Sequence, residues 1–224
     1  MGNRWEILTF LHWRYDPGDV QRLLPSGLTV ETFDGSAWVG LVPFHMTVHL
    51  PHLPPIPYLL RFPETNVRTY VIGPDGHRAV WFFSLEAARL AAVVAGRLGY
   101  GMPYFWSSMC LEQVGRQVTY TSRRRWPRPS GATSRVVVER GEPYRPDELG
   151  DLDHYLTARF RLYGVPRRRF WTAEAWHLPW PLQRATVIEL DDELVTVCGL
   201  PAPSGPPLVH HSPGVAVRIG FPHR

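Results

Sequence analysis

The pattern of apolar and polar positions along the chain predicts many short strands joined by turns. Most of the strand-like segments are bounded by Gly, Pro, Asp or Asn. Asp34-Gly35 and the acidic turn at 191–193 each separate two such segments, so both predict hairpins. In chain order the predicted strands are 5–15, 29–33, 36–46, 61–71, 79–85, 117–123, 134–140, 185–190, 194–198 and 215–219.

Three segments instead predict helices. The first is 17–24, where Asp16 provides a cap and Pro17 fits the first helical position. The second is 86–98, with an apolar stripe formed by Leu90, Val93, Val94 and Leu98. The third is 146–163, with apolar side chains three or four positions apart at Leu149, Leu152, Leu156, Phe160 and Tyr163.

The remaining segments predict turns and loops, including a Pro-rich loop at 51–57 and a second loop at 99–109. The balance of many short strands to three helices predicts an α+β fold, mainly a curved or closed antiparallel sheet. The sequence has no internal repeat, and its Pro and Gly residues are scattered rather than gathered into a linker. We therefore expect residues 1–224 to form a single domain.

Composition restricts the chemistry mainly because the sequence contains no lysine. All 24 Lys or Arg positions hold arginine, whose guanidinium stays protonated and is a poor nucleophile. No side-chain amine can therefore form a Schiff base with a carbonyl substrate. The formal net charge of +4 is only mildly basic and is weak evidence for an anionic partner.

Cysteine usage and the N-terminal segment predict a cytoplasmic location. Cys110 and Cys198 lack the spacing of a disulfide framework or a zinc site, which suits a reducing compartment. The first residues show no apolar core behind a basic segment, so no signal peptide is expected. No apolar run reaches the roughly 18 residues that a membrane helix needs, so no membrane contact is expected.

The segment RFPETNVRTYV is the strongest candidate for a pocket wall. On a strand, the side chains of Glu64, Asn66, Arg68 and Tyr70 share one face. Such polar groups are costly to bury unless each has a partner. Together with Arg14, these residues predict a binding site for an organic acid. The guanidinium group of an arginine can bind a carboxylate with two hydrogen bonds, and a partly buried Glu64 can act as an acid or a base. A structural network of ion pairs on a sheet face is the other interpretation.

Other residue clusters carry weaker signals. Three histidines, His45, His49 and His52, resemble a zinc set but lack an evident fourth ligand, so no metal is predicted. The arginine runs 123–125 and 167–169 adjoin aromatic residues, as in single-strand binders, yet solvated loops explain them better and no nucleic acid is expected. The sequence shows no nucleophile elbow and no nucleotide motif, so no cofactor is predicted.

Several segments together resemble the YqjF-like family of bacterial proteins, a domain family of unknown function. They are FLHWRYDPGDVQRLLPSGL, FDGSAWVGLVPF, RFPETNVRTYVIGPDG, VWFFSLEA, YGMPY, WHLPWPL and HHSPGVAVRI, and they span nearly the whole chain. That family is placed in the acetoacetate decarboxylase-like superfamily. The resemblance implies a cone-shaped, largely antiparallel β fold around an inner pocket. It supplies no established reaction.

The superfamily's catalytic pattern can be compared residue by residue. Arg14 before Asp16 is similar to an arginine that precedes the first helix in the decarboxylases, and Glu64 looks like the counterpart of their pocket glutamate. The decarboxylases then have a proline followed by two lysines, one of which forms the Schiff base. The matching segment here reads Met102-Pro103-Tyr104-Phe105. The resemblance therefore implies a pocket without imine chemistry.

These observations predict a protein with a pocket for a small organic acid, either a keto or a hydroxy acid. Arg14 or Arg68 would hold the carboxylate or the carbonyl of the acid, with Asn66 and Tyr70 beside them, and Glu64 would be the acid or base. Tyr104 would donate a hydrogen bond where the amine would have been. Enolisation, hydration, dehydration and carbon–carbon lysis all fit such a site. A non-catalytic binding or sensor protein stays open, as does a homo-oligomer.

Overall fold

A computed structural model describes residues 2–49, 60–165, 170–220 and 222. This part of the chain forms twelve strands: β1 (Gly2–Tyr15), β2 (Thr29–Val30), β3 (Ala37–His49), β4 (Arg61–Ile72), β5 (Arg78–Ala87), β6 (Tyr104–Val114), β7 (Gln117–Trp126), β8 (Thr133–Pro143), β9 (Arg161–Gly164), β10 (Trp171–His177), β11 (Gln183–Asp192) and β12 (Leu208–Ile219). Its helices are α1 (Pro17–Gln21), α2 (Leu90–Tyr100), α3 (Asp151–Thr157) and α4 (Leu194–Val197), with a 3₁₀ helix at Pro146–Glu148. None of these helices is long and apolar enough to cross a membrane.

The strands close into two rings that share one wall. Strands β4-β5-β6-β7-β8-β11-β12-β1-β3 form the larger ring, which closes because β3 pairs with β4. Strands β9 and β10 bridge β5 to β12 and close a smaller ring with β1, β3 and β4. All pairings are antiparallel except β5–β6 and β5–β9. The predicted curved and mainly antiparallel sheet is therefore confirmed.

The shared strands are buried on both faces, which explains their long apolar runs. Every residue of β1 from position 8 to 13 is buried. Leu11 and Trp13 belong to the hydrophobic cluster of the larger ring, whereas Leu8 and Phe10 belong to that of the smaller ring. A strand with two covered faces reads as a continuous hydrophobic run rather than as an alternation.

The two faces of strand β4 also point into different rings, and this determines where the polar residues Glu64, Asn66, Arg68 and Tyr70 lie. Val67 belongs to the cluster of the larger ring. The row from Glu64 to Tyr70 alternates with Val67 and therefore faces the smaller ring. Phe62, in phase with that row, lies in the cluster of the smaller ring. The predicted shared face of the polar residues is present, and it points into a ring interior.

The first helix and the turn between β2 and β3 agree with the sequence only in part. Asp16 Oδ1 accepts a hydrogen bond from Gly18 N at 2.7 Å, so the predicted cap is confirmed. The helix ends at Gln21, three residues earlier than predicted. The Asp34-Gly35 turn also forms, but only the bridge between Phe33 and Ser36 spans it. Strand β2 pairs with β4 instead of β3, so the predicted hairpin is wrong beyond its turn.

The predicted helix at 86–98 is displaced toward the C-terminus. Glu86 is still part of β5, and α2 begins at Leu90. The helix buries Val93 and Gly96, and the ring of Tyr104 lies against Gly96. The apolar stripe predicted to face inward is therefore wrong for three of its four members, which are exposed: Leu90, Val94 and Leu98.

The segment 146–163 is the largest departure from prediction. It forms the 3₁₀ helix, then α3, then strand β9 rather than one long helix. Gly150 interrupts it, and the Asp153 carboxylate accepts from Gly150 N at 2.8 Å to start α3 afresh. Tyr163 sits on β9 opposite Thr172, a pairing that helical spacing does not reveal.

Two further predictions, one of a strand and one of a loop, are wrong. The predicted strand 194–198 is helix α4, started by Asp192, whose Oδ2 accepts from Val195 N at 3.1 Å. The predicted loop at 99–109 contains strand β6 from Tyr104 onward, since α2 acts as the crossover between parallel β5 and β6. The predicted Pro-rich loop at 51–57 lies outside the described residues.

Candidate functional site

The smaller ring encloses a cavity of about 340 Å³ beside α2. The cavity is lined by α2 and by strands β1, β3, β4, β5, β6, β9, β10 and β12, and most of the lining side chains are apolar. Representative apolar lining residues are Met46, Phe62, Leu85, Ala92, Leu162 and Trp171. A largely apolar cavity of this size with a few polar groups is typical of a small-molecule site.

Glu64 is the one carboxyl group among the described lining residues. It lies in the middle of β4, opposite Phe44 of β3 and Ala87 of β5, and is 3% exposed. Burial away from water disfavours its charged form and raises the pKa of Glu64 to about 8, although a hydrogen bond from Tyr104 lowers it in part. This carboxyl group is therefore mostly protonated at neutral pH.

Tyr104, the first residue of β6, brings a phenol to the same place. Its hydroxyl lies 3.5 Å from Glu64 Oε2. Arg97 of α2 donates from Nη1 to the Tyr104 carbonyl oxygen at 2.7 Å, which fixes the start of the strand. Burial and the nearby Glu64 carboxylate raise the pKa of Tyr104 well above its usual value, so the phenol is a donor.

Gly96 makes room for that phenol. A Cβ at position 96 would overlap the ring of Tyr104, so only glycine lets α2 approach β6 this closely. Gly99 of the same helix has open space where its Cβ would be. The two glycines therefore differ in function, although they lie three residues apart on one helix.

Asn66 is the third predicted polar residue that lines the cavity, together with Glu64 and Tyr104. It lines the cavity one strand repeat from Glu64, and its Oδ1 atom is buried without a hydrogen-bond partner in the described part of the chain. Sequence reasoning missed two further polar lining residues, Asn3 and Trp5 of β1. Only their placement two positions apart on the first strand could have suggested a shared face.

Arg68 and Tyr70 lie on the same strand face but are not among the described lining residues of the cavity. Arg68 Nη2 donates to the Leu156 carbonyl oxygen at 3.1 Å, and its guanidinium lies 5.2 Å from the Phe10 ring centroid. The Tyr70 hydroxyl lies 2.6 Å from the same carbonyl oxygen and 2.7 Å from His12 Nε2. These residues form a separate buried cluster.

Arg14 is also placed away from the cavity. Its side chain is exposed at the end of β1, and its guanidinium lies 5.1 Å from the Trp38 ring centroid. The structure does not bring Arg14 into the cavity that Glu64 lines. The cavity lies toward the start of β1, beside Asn3 and Trp5, whereas Arg14 is near the end of that strand. No described lining residue of the cavity is an arginine or a histidine.

Histidine and acidic side chains do not converge on a metal site in the described ranges. No group of three or more His, Cys, Asp or Glu side chains there is arranged to hold a metal ion. His45 and His49 lie on β3, and His52 is outside the described residues.

The first arginine run is part of strand β7 rather than a solvated loop. Arg123 and Arg125 are exposed, but Arg124 is buried and forms an ion pair with Glu86. The Glu86 carboxylate also accepts a hydrogen bond from Ser107 Oγ at 2.6 Å. This buried pair was missed because Glu86 was assigned to a helix. The second run, 167–169, lies outside the described residues.

Comparison with known sequences finds similarity over nearly the whole chain. The family model DUF2071, described as an uncharacterized conserved protein, matches residues 2–216. The uncharacterized protein YqjF of Bacillus subtilis (strain 168) is 33% identical over 215 residues, which cover 95% of this chain and 87% of that protein. The resemblance to YqjF-like proteins is confirmed.

Solved structures show the same fold at low sequence identity. An acetoacetate decarboxylase-like enzyme from Sphingomonas wittichii RW1 aligns with a TM-score of 0.67 and 15% identity, covering 100% of this chain and 91% of that one. The enduracididine biosynthesis enzyme MppR complexed with pyruvate aligns with a TM-score of 0.64 and 14% identity, covering 99% and 89%. The fold is therefore acetoacetate decarboxylase-like.

Proposed function

The chain belongs to the DUF2071 family of uncharacterized conserved proteins, and from that premise we propose that its cavity binds a small carbonyl compound and enolises it. The observation that carries this proposal is the Glu64 carboxyl group, buried in an apolar cavity with a pKa of about 8. Perturbed carboxyl groups of this kind cluster at functional sites. A general base works best when its pKa lies near the operating pH.

The proposed reaction moves one proton and needs no co-reactant. The ionised Glu64 removes a proton from the carbon next to the carbonyl, and the electron pair of that C–H bond forms the enolate. The Tyr104 hydroxyl donates a hydrogen bond to the enolate oxygen as negative charge develops there. Protonated Glu64 then returns the proton to carbon, on the same or another position, and the carboxylate is regenerated.

Covalent catalysis through an amine is not part of this proposal. The sequence contains no lysine, and Tyr104 stands where the resemblance to the decarboxylases places the Schiff-base region. A phenol whose pKa is raised well above its usual value stays protonated at neutral pH. It therefore polarises a carbonyl oxygen instead of attacking the carbonyl carbon.

Charge favours a neutral ligand. The described lining residues include no arginine and no histidine, so an ionised carboxylate would lose its hydration there without a cationic partner. The protonated Glu64 and the Tyr104 phenol are both hydrogen-bond donors, which suits a ketone or aldehyde oxygen. The positions of Arg14 and Arg68 do not support the predicted carboxylate clamp.

A keto or hydroxy acid is the second candidate ligand, and one comparison favours it. The structurally similar enzyme MppR is known as a complex with pyruvate. In this chain such an acid would have to keep its carboxylate outside the apolar part of the cavity or bind in its protonated form. A binding or sensor protein without turnover is the other functional class, which the same assay distinguishes.

The test is proton exchange from small ketones, aldehydes and keto acids dissolved in deuterium oxide, followed by NMR. We expect deuterium to enter the carbon next to the carbonyl faster with the wild-type protein than with Glu64→Gln, which has a similar shape but no basic group. A thermal-shift screen of the same compounds measures binding independently. Binding without exchange would support the sensor class and contradict enolisation.

A further inference from the structure

The cavity has a second polar end, formed by Asn3 and Trp5 of β1. The Asn3 side chain is 3% exposed, and neither its Nδ2 nor its Oδ1 atom has a hydrogen-bond partner in the described part of the chain. The indole Nε1 atom of Trp5 is likewise buried and unpaired. Such atoms are rare in native proteins, because each costs free energy that a bound molecule or a water recovers.

Strand register places this end far from Glu64. Trp5 lies opposite Met46, and Met46 lies opposite Phe62. Strands β1 and β4 run in the same direction, because each is antiparallel to β3. Glu64 lies two residues after Phe62, whereas Asn3 lies two residues before Trp5, so the two side chains are displaced in opposite directions along the wall. Four strand residues span about 13 Å. Met46 and Phe62 line the intervening wall, so the two polar ends are separated by an apolar middle.

The polar groups at the Asn3 end define what they recognise. The Asn3 amide offers two N–H donors and one acceptor oxygen, and the Trp5 indole offers one further donor. A primary amide matches this set, since its oxygen accepts from Asn3 Nδ2 and Trp5 Nε1 while its N–H donates to Asn3 Oδ1. An ionised carboxylate does not match, because both of its oxygens only accept hydrogen bonds and one of them would face Asn3 Oδ1, which is also an acceptor.

We propose that the cavity binds an elongated, uncharged carbonyl compound whose far end carries a primary amide held by Asn3 and Trp5. This inference rests on the proposed function, in which Glu64 and Tyr104 bind the carbonyl group. The ligand spans the cavity with one polar group at each end and an unbranched apolar chain between them. Its length, rather than its bulk, sets specificity.

The experiment compares two series of straight-chain methyl ketones of increasing length. One series ends in a methyl group and the other in a primary amide. Dissociation constants are measured by calorimetry on the wild type, Asn3→Leu and Trp5→Phe. Leucine keeps the size of Asn3 without its polar atoms, and phenylalanine keeps the aromatic packing of Trp5. Asn3→Leu removes two unpaired buried polar atoms at similar side-chain size, so we expect this variant to unfold at the same or a higher temperature than the wild type.

We expect the amide series to bind the wild type about tenfold more tightly than the methyl series at one optimal length. This difference disappears in Asn3→Leu and shrinks in Trp5→Phe, because the primary amide loses its hydrogen-bond partners there. Equal affinity of the two series for the wild type would mean that Asn3 and Trp5 bind only water, and would overturn the inference. Failure of every ketone to bind would instead contradict the proposed function itself.

Discussion

The Tyr104 hydroxyl lies 3.5 Å from Oε2 of Glu64, inside a cavity that is otherwise largely apolar. The two residues come from strands β4 and β6, which do not pair with each other, and 40 positions separate them in the sequence. Each affects the other's pKa, because the phenol stabilises the carboxylate while the carboxylate disfavours a phenolate. The cavity therefore holds a carboxyl group with a raised pKa beside a hydrogen-bond donor.

The raised pKa of Glu64 predicts a specific dependence of stability on pH. The folded protein retains the Glu64 proton up to a pKa of about 8, whereas the unfolded chain loses it near 4.5, so stability falls as pH rises across this window. The lowered pKa values of His12, His210 and His211 act in the opposite direction, but only below their usual value of 6.5.

Between pH 6.5 and pH 8 we therefore expect wild-type stability to decline relative to Glu64→Gln. The slope of the difference is at most about 1.4 kcal/mol per pH unit. Urea unfolding of both proteins at several pH values measures it. Parallel stability curves for the two proteins would show that Glu64 has an ordinary pKa.

Replacing Gly96 by alanine should disturb the site, whereas the same change at Gly99 should not. A Cβ at position 96 overlaps the Tyr104 ring, so Gly96→Ala displaces the phenol from Glu64 and lowers both stability and ketone affinity. Gly99→Ala has free space and should add about 0.5–1 kcal/mol through helix propensity. Thermal unfolding and ligand titration of the two variants make the comparison. Equal behaviour would contradict the assigned contact.

Tyr104→Phe isolates the hydrogen-bond donor from the base. We expect ketone exchange to fall about 10²–10³-fold, as when one oxyanion donor is removed. The pH at half-maximal exchange should also move upward, since the hydrogen bond from Tyr104 lowers the pKa of Glu64. Exchange rates measured across pH on wild type and variant test both effects. A lower exchange rate with an unchanged pH profile would contradict the effect of Tyr104 on the pKa of Glu64.

The buried pair of Glu86 and Arg124 should be far more important for stability than an exposed pair. Arg124→Met leaves an uncompensated buried carboxylate and should cost about 3–5 kcal/mol. Arg135→Met is the matched control, because Arg135 and Glu189 are both about half exposed and such pairs are worth about 1 kcal/mol or less. Chemical denaturation of the two variants gives the difference. Similar losses would show that the Glu86 site is solvated.

Much of the fold could be predicted from the sequence, because in many segments the local pattern of apolar and polar residues agrees with the final strand pairing. Strands β3, β4 and β5 lie close to their predicted positions, and Asp16 caps α1 as expected. The prediction of one helix over 146–163 is wrong because apolar residues at helical spacing are equally compatible with a short helix followed by a strand. The outcome there is decided by pairing between β9 and β10, which local spacing does not encode.

The site was predicted in part for the same reason. Glu64 and Asn66 share a strand, so their common face follows from alternation, and Tyr104 was suggested by its neighbouring proline and the family resemblance. Asn3 and Trp5 reach the cavity only because the rings close through β1, a long-range event that single-sequence reasoning does not reveal. Arg14 shares that strand but lies near its other end.

The most direct test of the account is the titration of the Glu64 carboxyl carbon by NMR, with Glu64→Gln used to assign the signal. We predict a midpoint near pH 8, far above the usual value of 4.5. A ketone that binds the cavity should move this midpoint, because it contacts the carboxyl group directly. A midpoint near 4.5, unchanged by any ligand, would contradict a buried base at Glu64 and with it the proposed enolisation.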